Sequence, residues 1–172
     1  EGALEAGGVT VAVLGSGFSR LYPRENKKLA EQIAARGAVI TEFSMDADPE
    51  PYHFPQRNRI ISGLSHGVLV VEARLKSGAL ITADLALEQG RDVFAVPGNV
   101  DSAKSGGTNR LLKQGAMLVS SAEDILQELN IQPKAGAIKI SKKEAVSAGD
   151  LEDDEKKILS LFDNEPLHVD AL

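Results

Sequence analysis

Short apolar runs that alternate with helical patterns are the feature that most constrains the fold of this chain. The apolar runs cover residues 9–14, 38–41, 68–71, 93–96 and 117–119. The helical patterns cover residues 24–36, 58–64, 79–87, 109–113 and 122–129. Runs that are apolar at every position indicate strands buried on both faces, as in parallel sheets covered by helices. The sequence therefore predicts an α/β fold with a doubly wound, mostly parallel sheet and helices on both faces.

The alternating pattern stops near residue 129, and the composition then changes. Residues 130–150 are rich in Gly, Ala, Lys and Ser without a period, which is typical of a linker. Residues 151–162 return to a helical pattern, and with the ten residues that follow they are too few to bury a core of their own. We therefore expect a domain over residues 1–129, a linker over 130–150, and a short helical C-terminal attachment that begins a second domain.

Composition excludes several kinds of chemistry. The chain has no cysteine, so disulfides, thiolate metal ligands and a cysteine nucleophile are excluded. His53, His66 and His168 are too scattered to form a helical pair of metal ligands. No Gly-x-x-x-x-Gly-Lys loop is present, and we expect no catalytic residue, metal or cofactor. No apolar run approaches about 18 residues, and we expect a soluble, cytoplasmic protein with no membrane contact.

Charge is distributed unevenly along the chain. The formal net charge is −6, which by itself disfavours a polyanionic partner. Residues 51–115, however, hold 8 basic and 5 acidic side chains, whereas residues 116–172 hold 6 and 12. Because a polyanion requires a local basic patch and not a basic chain, the middle segment keeps nucleic acid open as a partner.

A glycine turn follows the first predicted strand, at the sheet edge where ligands of α/β proteins bind. The turn Gly15-Ser16-Gly17 begins like a dinucleotide fingerprint, but Arg20 stands where the third glycine belongs. An arginine there cannot provide the close helix packing that the third glycine allows. The turn therefore predicts a tight bend, or a close approach of a phosphate backbone, in preference to an NAD site.

Three further segments place polar or glycine residues at the start of a predicted helix. In Arg57-Asn58-Arg59, two guanidinium groups stand where free N–H groups favour an anion. Alternatively, one arginine caps a strand or pairs with Glu72 while the other is solvated. Ser77-Gly78 predicts either an N-cap or part of a ligand site. Gly106-Gly107-Thr108 predicts either an anion nest or a flexible loop.

Several motifs in a fixed order resemble a known family. They are Val11-Ala12-Val13-Leu14-Gly15-Ser16-Gly17, Tyr22-Pro23-Arg24-Glu25-Asn26, Thr41-Glu42-Phe43, Phe54-Pro55-Gln56-Arg57-Asn58-Arg59, Val70-Val71-Glu72-Ala73, Ser77-Gly78-Ala79-Leu80, Val93-Phe94-Ala95-Val96-Pro97-Gly98 and Gly107-Thr108-Asn109. Over about residues 1–129 they resemble the DNA-processing protein A (DprA/Smf) family, and residues 151–172 resemble the opening of the winged-helix domain that many members carry. Members carry a further glycine turn and an arginine before the stretch matched by residues 6–10. The segment with this glycine turn and arginine is absent from the sequence, so we expect an incomplete pocket and an incomplete sheet.

The resemblance implies a Rossmann-like domain that binds single-stranded DNA, protects incoming DNA and helps load a RecA-type recombinase in natural transformation. It also implies a homodimer without enzymatic activity. By motif, Arg24 and Arg57-Asn58-Arg59 match basic residues that members place on the DNA. The residues expected to bind the nucleic acid are Gly17, Arg24, Asn26, Lys27, Phe54, Arg57, Asn58, Arg59, Ser77, Gly78, Gly107 and Thr108.

A rival interpretation is a nucleotide-processing enzyme of related α/β fold, such as a phosphoribohydrolase. Glu72, at the end of a predicted strand, would then act as an acid or a base. The two hypotheses predict different outcomes. A binding module shows salt-sensitive affinity for single-stranded DNA, whereas an enzyme releases product from a nucleoside monophosphate.

Overall fold

A computed structural model describes residues 1–132 of the chain. The helices are α1 (Gly2–Glu5), α2 (Lys27–Arg36), α3 (His53–Gly63), α4 (Gly78–Glu88), α5 (Gly106–Lys113) and α6 (Ala122–Glu128). The strands are β1 (Val11–Val13), β2 (Ala38–Ile40), β3 (Gly67–Val70), β4 (Asp92–Ala95) and β5 (Met117–Leu118). Short 3-10 turns lie at Phe18–Arg20 and Arg24–Asn26. No helix in this part of the chain has the length and apolar character to cross a membrane.

The predicted second unit lies beyond these residues. Only residues 130–132 of the predicted linker are described, and the helical attachment predicted over residues 151–172 falls outside the described residues.

The strands are parallel, as the continuous apolar runs predict. β1 pairs with β2, placing Ala12 opposite Val39. β3 pairs with β4, and β4 with β5, in a second sheet. The sequence predicts a single sheet, whereas the structure has a two-stranded and a three-stranded sheet. The two are separate because β1 and β3 do not pair within residues 1–132. A cavity of about 490 Å³ lies alongside β1 and is bordered by Ile61 of α3 and by Leu64, which follows that helix.

Helices cover both faces of these parallel strands. Helix α2 packs on β1 and β2, whereas α4 packs on β3 and β4 and α5 packs on β4. Ala83 and Ala86 of α4 are fully buried. Their small side chains let this helix pack close to the sheet. The core cluster consists of Val70, Ala73, Leu80, Ala83, Ala86, Val93, Ala95 and Leu111.

One element begins much earlier than the sequence pattern predicts. Helix α3 begins at His53 and not at residue 58, although Pro55 lies in its first turn. Proline is tolerated there because the first N–H groups of a helix have no intrahelical acceptor. The other predicted strands and helices are confirmed within three residues at each end. As a consequence, Phe54 and the Arg57-Asn58-Arg59 motif share one helix.

A close backbone contact joins the end of α2 to β1. A Cβ atom at Gly37 would lie 1.9 Å from the carbonyl oxygen of Thr10, whereas one at Gly2 would meet nothing within 4 Å. We therefore expect Gly37→Ala to lower the free energy of unfolding by about 1–3 kcal/mol through overpacking. Gly2→Ala should change it by less than about 0.5 kcal/mol. Urea unfolding followed by circular dichroism measures both, and equal midpoints would contradict the packing described.

Candidate nucleic-acid interface

The loop that follows β2 covers the glycine turn that follows β1. The Gly17 N–H donates to the carbonyl of Ala47 at 2.9 Å, and a Cβ at Gly17 would lie 2.1 Å from the Met45 carbonyl oxygen. The hydroxyl of Thr41 donates to the Ser16 carbonyl at 2.8 Å, which ties the two segments further. Gly17 is therefore buried under the protein's own backbone. The expectation that Gly17 contacts the nucleic acid is corrected, because its amide and the space around it are already occupied.

Aromatic rings connect the segment after β1 to the start of α3. The rings of Tyr22 and Phe54 meet edge to face, with centroids 5.9 Å apart. Phe54 also lies over the turn after β1, where a Cβ at Gly15 would be 3.0 Å from its ring. Tyr22 is 57% exposed, so one face of this aromatic pair remains open to a ligand.

The first arginine of the Arg57-Asn58-Arg59 motif is anchored inside the protein. Its Nη1 donates to the carbonyl of Val13 at the end of β1, and its Nε donates to Asn58 Oδ1 at 3.1 Å. The guanidinium carbon lies 5.7 Å from the centre of the Phe54 ring. Burial lowers the pKa of Arg57, but an arginine stays charged at neutral pH because its ordinary value is so high. Arg57 thus caps a strand end and presents only its remaining N–H groups outward.

The second arginine of the motif is exposed and paired. Arg59 forms an ion pair with Glu42, in which the side chains are 56% and 27% exposed. One interpretation of the motif is that one of its arginines caps a strand, and in the structure Arg57 does so. The acid paired with the motif is Glu42 and not Glu72, because the segment that follows β2 reaches α3.

A cleft beside α2 holds two of the predicted cations. It has a volume of about 570 Å³, and its walls include Phe18, Arg24, Lys27 and Glu31; we call it the first cleft. Arg24 and Lys27 are exposed and form no ion pair within residues 1–132. Asn26 precedes α2 without capping it through its side chain, so its exposed amide remains available. The predicted residues Arg24, Asn26 and Lys27 thus lie on one accessible surface.

Two of the other predicted residues mark the start of α4. Ser77 is its N-cap and accepts from the Ala79 N–H at 3.3 Å, as the capping interpretation predicts. Ser77 also lines a second cleft, of about 400 Å³, together with Glu72, Arg74, Lys76 and Lys104. Gly78 is exposed, and a Cβ there would meet nothing within 4 Å. The first turn of α4 is therefore accessible.

The remaining two predicted residues lie in the interior. Thr108 is 1% exposed, and its hydroxyl donates to the Ser105 carbonyl. The Gly107 N–H donates to the Ala73 carbonyl at 2.7 Å, and a Cβ there would lie 2.6 Å from that same oxygen. The expectation that these two residues contact the nucleic acid is corrected, because both are buried and serve to pack α5 against the end of β3.

Sequence reasoning missed the role of Asn109. Its Nδ2 donates to the Gly98 carbonyl at 3.0 Å, and its Oδ1 accepts from the Gly98 N–H at 3.3 Å. This two-way contact holds the loop after β4 against α5. The Gly107-Thr108-Asn109 motif signals that the segment matters, but no sequence pattern pairs position 109 with position 98.

Within the described part of the chain, no group of three or more His, Cys, Asp or Glu side chains could hold a metal ion. Glu72, the residue of the rival enzymatic interpretation, is exposed on the wall of the second cleft. Basic side chains surround it there, which is the arrangement of an anion site at the carboxyl end of parallel strands.

Parallel strands covered by helices, with basic clefts where the strands end, define a Rossmann-like α/β protein suited to an anionic ligand. A model of the family "DNA recombination-mediator protein A" matches residues 1–130. The chain belongs to this family.

Relatives and solved structures agree with this assignment. Protein Smf of Escherichia coli is 52% identical over 130 residues, which are 75% of this chain and 35% of Smf. DNA processing protein DprA of Bacillus subtilis is 50% identical over 127 residues, 74% of this chain and 43% of that protein. The chain spans less than half the length of these relatives.

Two solved structures share the fold. The X-ray structure of DprA from Streptococcus pneumoniae has a TM-score of 0.67 at 46% identity, over 73% of this chain and 44% of that chain. A structure of DNA processing protein A from Helicobacter pylori, reported for its single-stranded DNA binding mode, has a TM-score of 0.64 at 30% identity. It covers 70% of this chain and 56% of that chain.

The two arginines of the α3 motif should differ in their effect on stability. Arg57→Ala removes hydrogen bonds from a partly buried charged group, and we expect the free energy of unfolding to fall by about 1.5–3 kcal/mol. Arg59→Ala removes an exposed ion pair and should cost less than about 1 kcal/mol. Urea unfolding of the two variants provides the comparison. A larger loss for Arg59→Ala would show that Arg57 does not anchor α3.

Proposed function

We propose that this protein binds single-stranded DNA without sequence preference. The observation that carries the proposal is the first cleft, where Arg24 and Lys27 are exposed, form no ion pair within residues 1–132 and outnumber the one acidic wall residue, Glu31. Cations that the protein leaves unneutralised attract phosphates, and the release of counterions then drives binding. The single-stranded DNA binding mode reported for the Helicobacter pylori relative supports this assignment.

The aromatic pair beside the cleft supports a single-stranded ligand over a duplex. Bases of a single strand are free to stack on side-chain rings, whereas those of a duplex are already stacked. Tyr22 and Phe54 offer such rings close to Arg57. Phosphate contacts position a strand without reading its sequence, so we expect affinity to depend little on sequence.

The wider role follows from the family and from the names of the relatives. We propose that the protein acts in DNA processing during natural transformation, where it protects incoming DNA and helps load a RecA-type recombinase. We further propose that it works in the cytoplasm as a homodimer and that it binds nucleic acid without turning it over. The names "DNA processing protein DprA" and "DNA recombination-mediator protein A" support this placement.

Two adjacent lysines provide a matched test of the binding surface. Lys27 lines the first cleft, whereas its neighbour Lys28 is exposed outside it. Lys27→Ala should weaken binding of a labelled single strand at least about threefold and lower the slope of log K against log salt by about 0.7. Lys28→Ala should leave both nearly unchanged. Fluorescence anisotropy at several salt concentrations measures affinity and slope.

The same titrations test the proposal as a whole. Duplex of equal length should bind more weakly than the single strand, and nucleoside monophosphates incubated with the protein should be recovered intact. Equal effects of Lys27→Ala and Lys28→Ala would mean that the first cleft does not contact the DNA. Release of a free base would favour an enzyme that uses Glu72.

A further inference from the structure

The second cleft shares no wall residue with the first. It opens where β3 ends and α4 begins, and one wall comes from the loop after β4. Its volume of about 400 Å³ would hold a phosphate together with part of a sugar. Its walls include the side chains of Glu72, Arg74, Lys76, Ser77 and Lys104.

The charges of the second cleft are unbalanced. Arg74, Lys76 and Lys104 are exposed, and none of them forms an ion pair within residues 1–132. Glu72 is the only acid among the wall residues, so the cations outnumber the carboxylate three to one. Like charges that share one cavity repel each other unless an anion lies between them. The composition of the walls therefore fits an anionic ligand.

The backbone holds these cations in a fixed arrangement. The Ala73 N–H donates to the carbonyl of Lys104 at 2.9 Å, and the Ala73 carbonyl accepts from Gly107 at 2.7 Å. Ala73 itself is 3% exposed and belongs to the core cluster. The loop that carries Lys104 is thus pinned to the segment that carries Arg74, and ligand binding needs little rearrangement of the chain.

The wall also offers hydrogen-bond donors suited to phosphate oxygens. Ser77 accepts one bond as the N-cap of α4, which leaves its O–H free to donate. The exposed first turn of α4 adds the positive end of a helix dipole. These groups reinforce the three cations, which remain the main source of attraction.

We propose that the second cleft is a phosphate subsite, distinct from the first cleft, that holds a backbone phosphate of the bound single strand. This inference rests on the proposed function in naming the strand as the source of the phosphate. A free nucleotide carries the same chemical group, and the test below separates the two sources.

The test uses the full chain and oligonucleotides of two lengths. A strand of about 30 nucleotides can reach both clefts, whereas one of about 6 nucleotides fills a single site. The double variant Arg74→Ala, Lys104→Ala should weaken binding of the long strand about tenfold or more and lower its salt slope by about 1.4. It should change binding of the short strand by less than about twofold, because the first cleft remains intact.

The matched control removes the same charge elsewhere. Arg110 and Lys113 are exposed cations of α5 that line neither cleft. The double variant Arg110→Ala, Lys113→Ala should bind both strands as the unchanged chain does. Unfolding midpoints of both double variants, compared with the unchanged chain, show whether each is folded.

Titration with inorganic phosphate and adenosine monophosphate, followed by chemical shifts at Ala73 and Ser77, completes the test. One outcome is that the shifts vanish in the Arg74→Ala, Lys104→Ala variant while binding of the long strand is unchanged. The cleft would then be a phosphate site for a free nucleotide, and the proposal that it holds a phosphate of the strand would be wrong. No shifts and no change in long-strand binding would overturn the proposal. If the unchanged chain binds no DNA, the proposed function fails, and the phosphate titration alone then decides whether the cleft binds phosphate.

Discussion

The contact between the Arg57 guanidinium and the carbonyl at the end of β1 is the interaction on which the candidate interface depends. It joins a helix to a strand and places Arg57 beside the Phe54 ring. Phe54 in turn contacts Tyr22 and covers the turn at Gly15. Without this contact the rings and the exposed arginine of α3 would lack a fixed position. A hydrogen bond from a charged group to a backbone carbonyl is stronger than a hydrogen bond between two neutral groups, so it is suited to this role.

The fold class was predictable because burial on both faces leaves a direct mark on the sequence. The runs at residues 68–71 and 93–96 have no polar alternation, and they form β3 and β4, which pair in parallel in the second sheet. The start of α3 was not predictable, because Pro55 and the acidic residues before it are typical of a loop. The separation of β1 from β3 was not predictable either, since apolar pattern specifies burial and not the pairing partner.

The candidate site was predictable in its chemistry and less so in its geometry. Arg24 and Lys27 lie on an accessible surface, as their residue types and the motif indicate. Gly17 and Gly107 are buried, because the segments that cover them come from distant parts of the chain. Glycines that admit a ligand and glycines that admit the protein's own backbone have the same sequence signature. Only the three-dimensional contacts distinguish the two.

Helices α3 and α4 are joined firmly near their C-terminal ends. Gln89 donates to the carbonyl of Arg59 at 3.0 Å and accepts from the Ser62 hydroxyl at 2.7 Å, and Arg91 donates to the Gly63 carbonyl at 2.9 Å. Because their C-terminal ends are tied, the opposite ends of the helices, one with Arg57 and one with Ser77, keep a constant spacing. A strand that contacts both ends must be long enough to bridge this spacing. If the protein binds a single strand as proposed, helix packing alone sets a minimum length for a strand that contacts both ends, whatever the order of the bases.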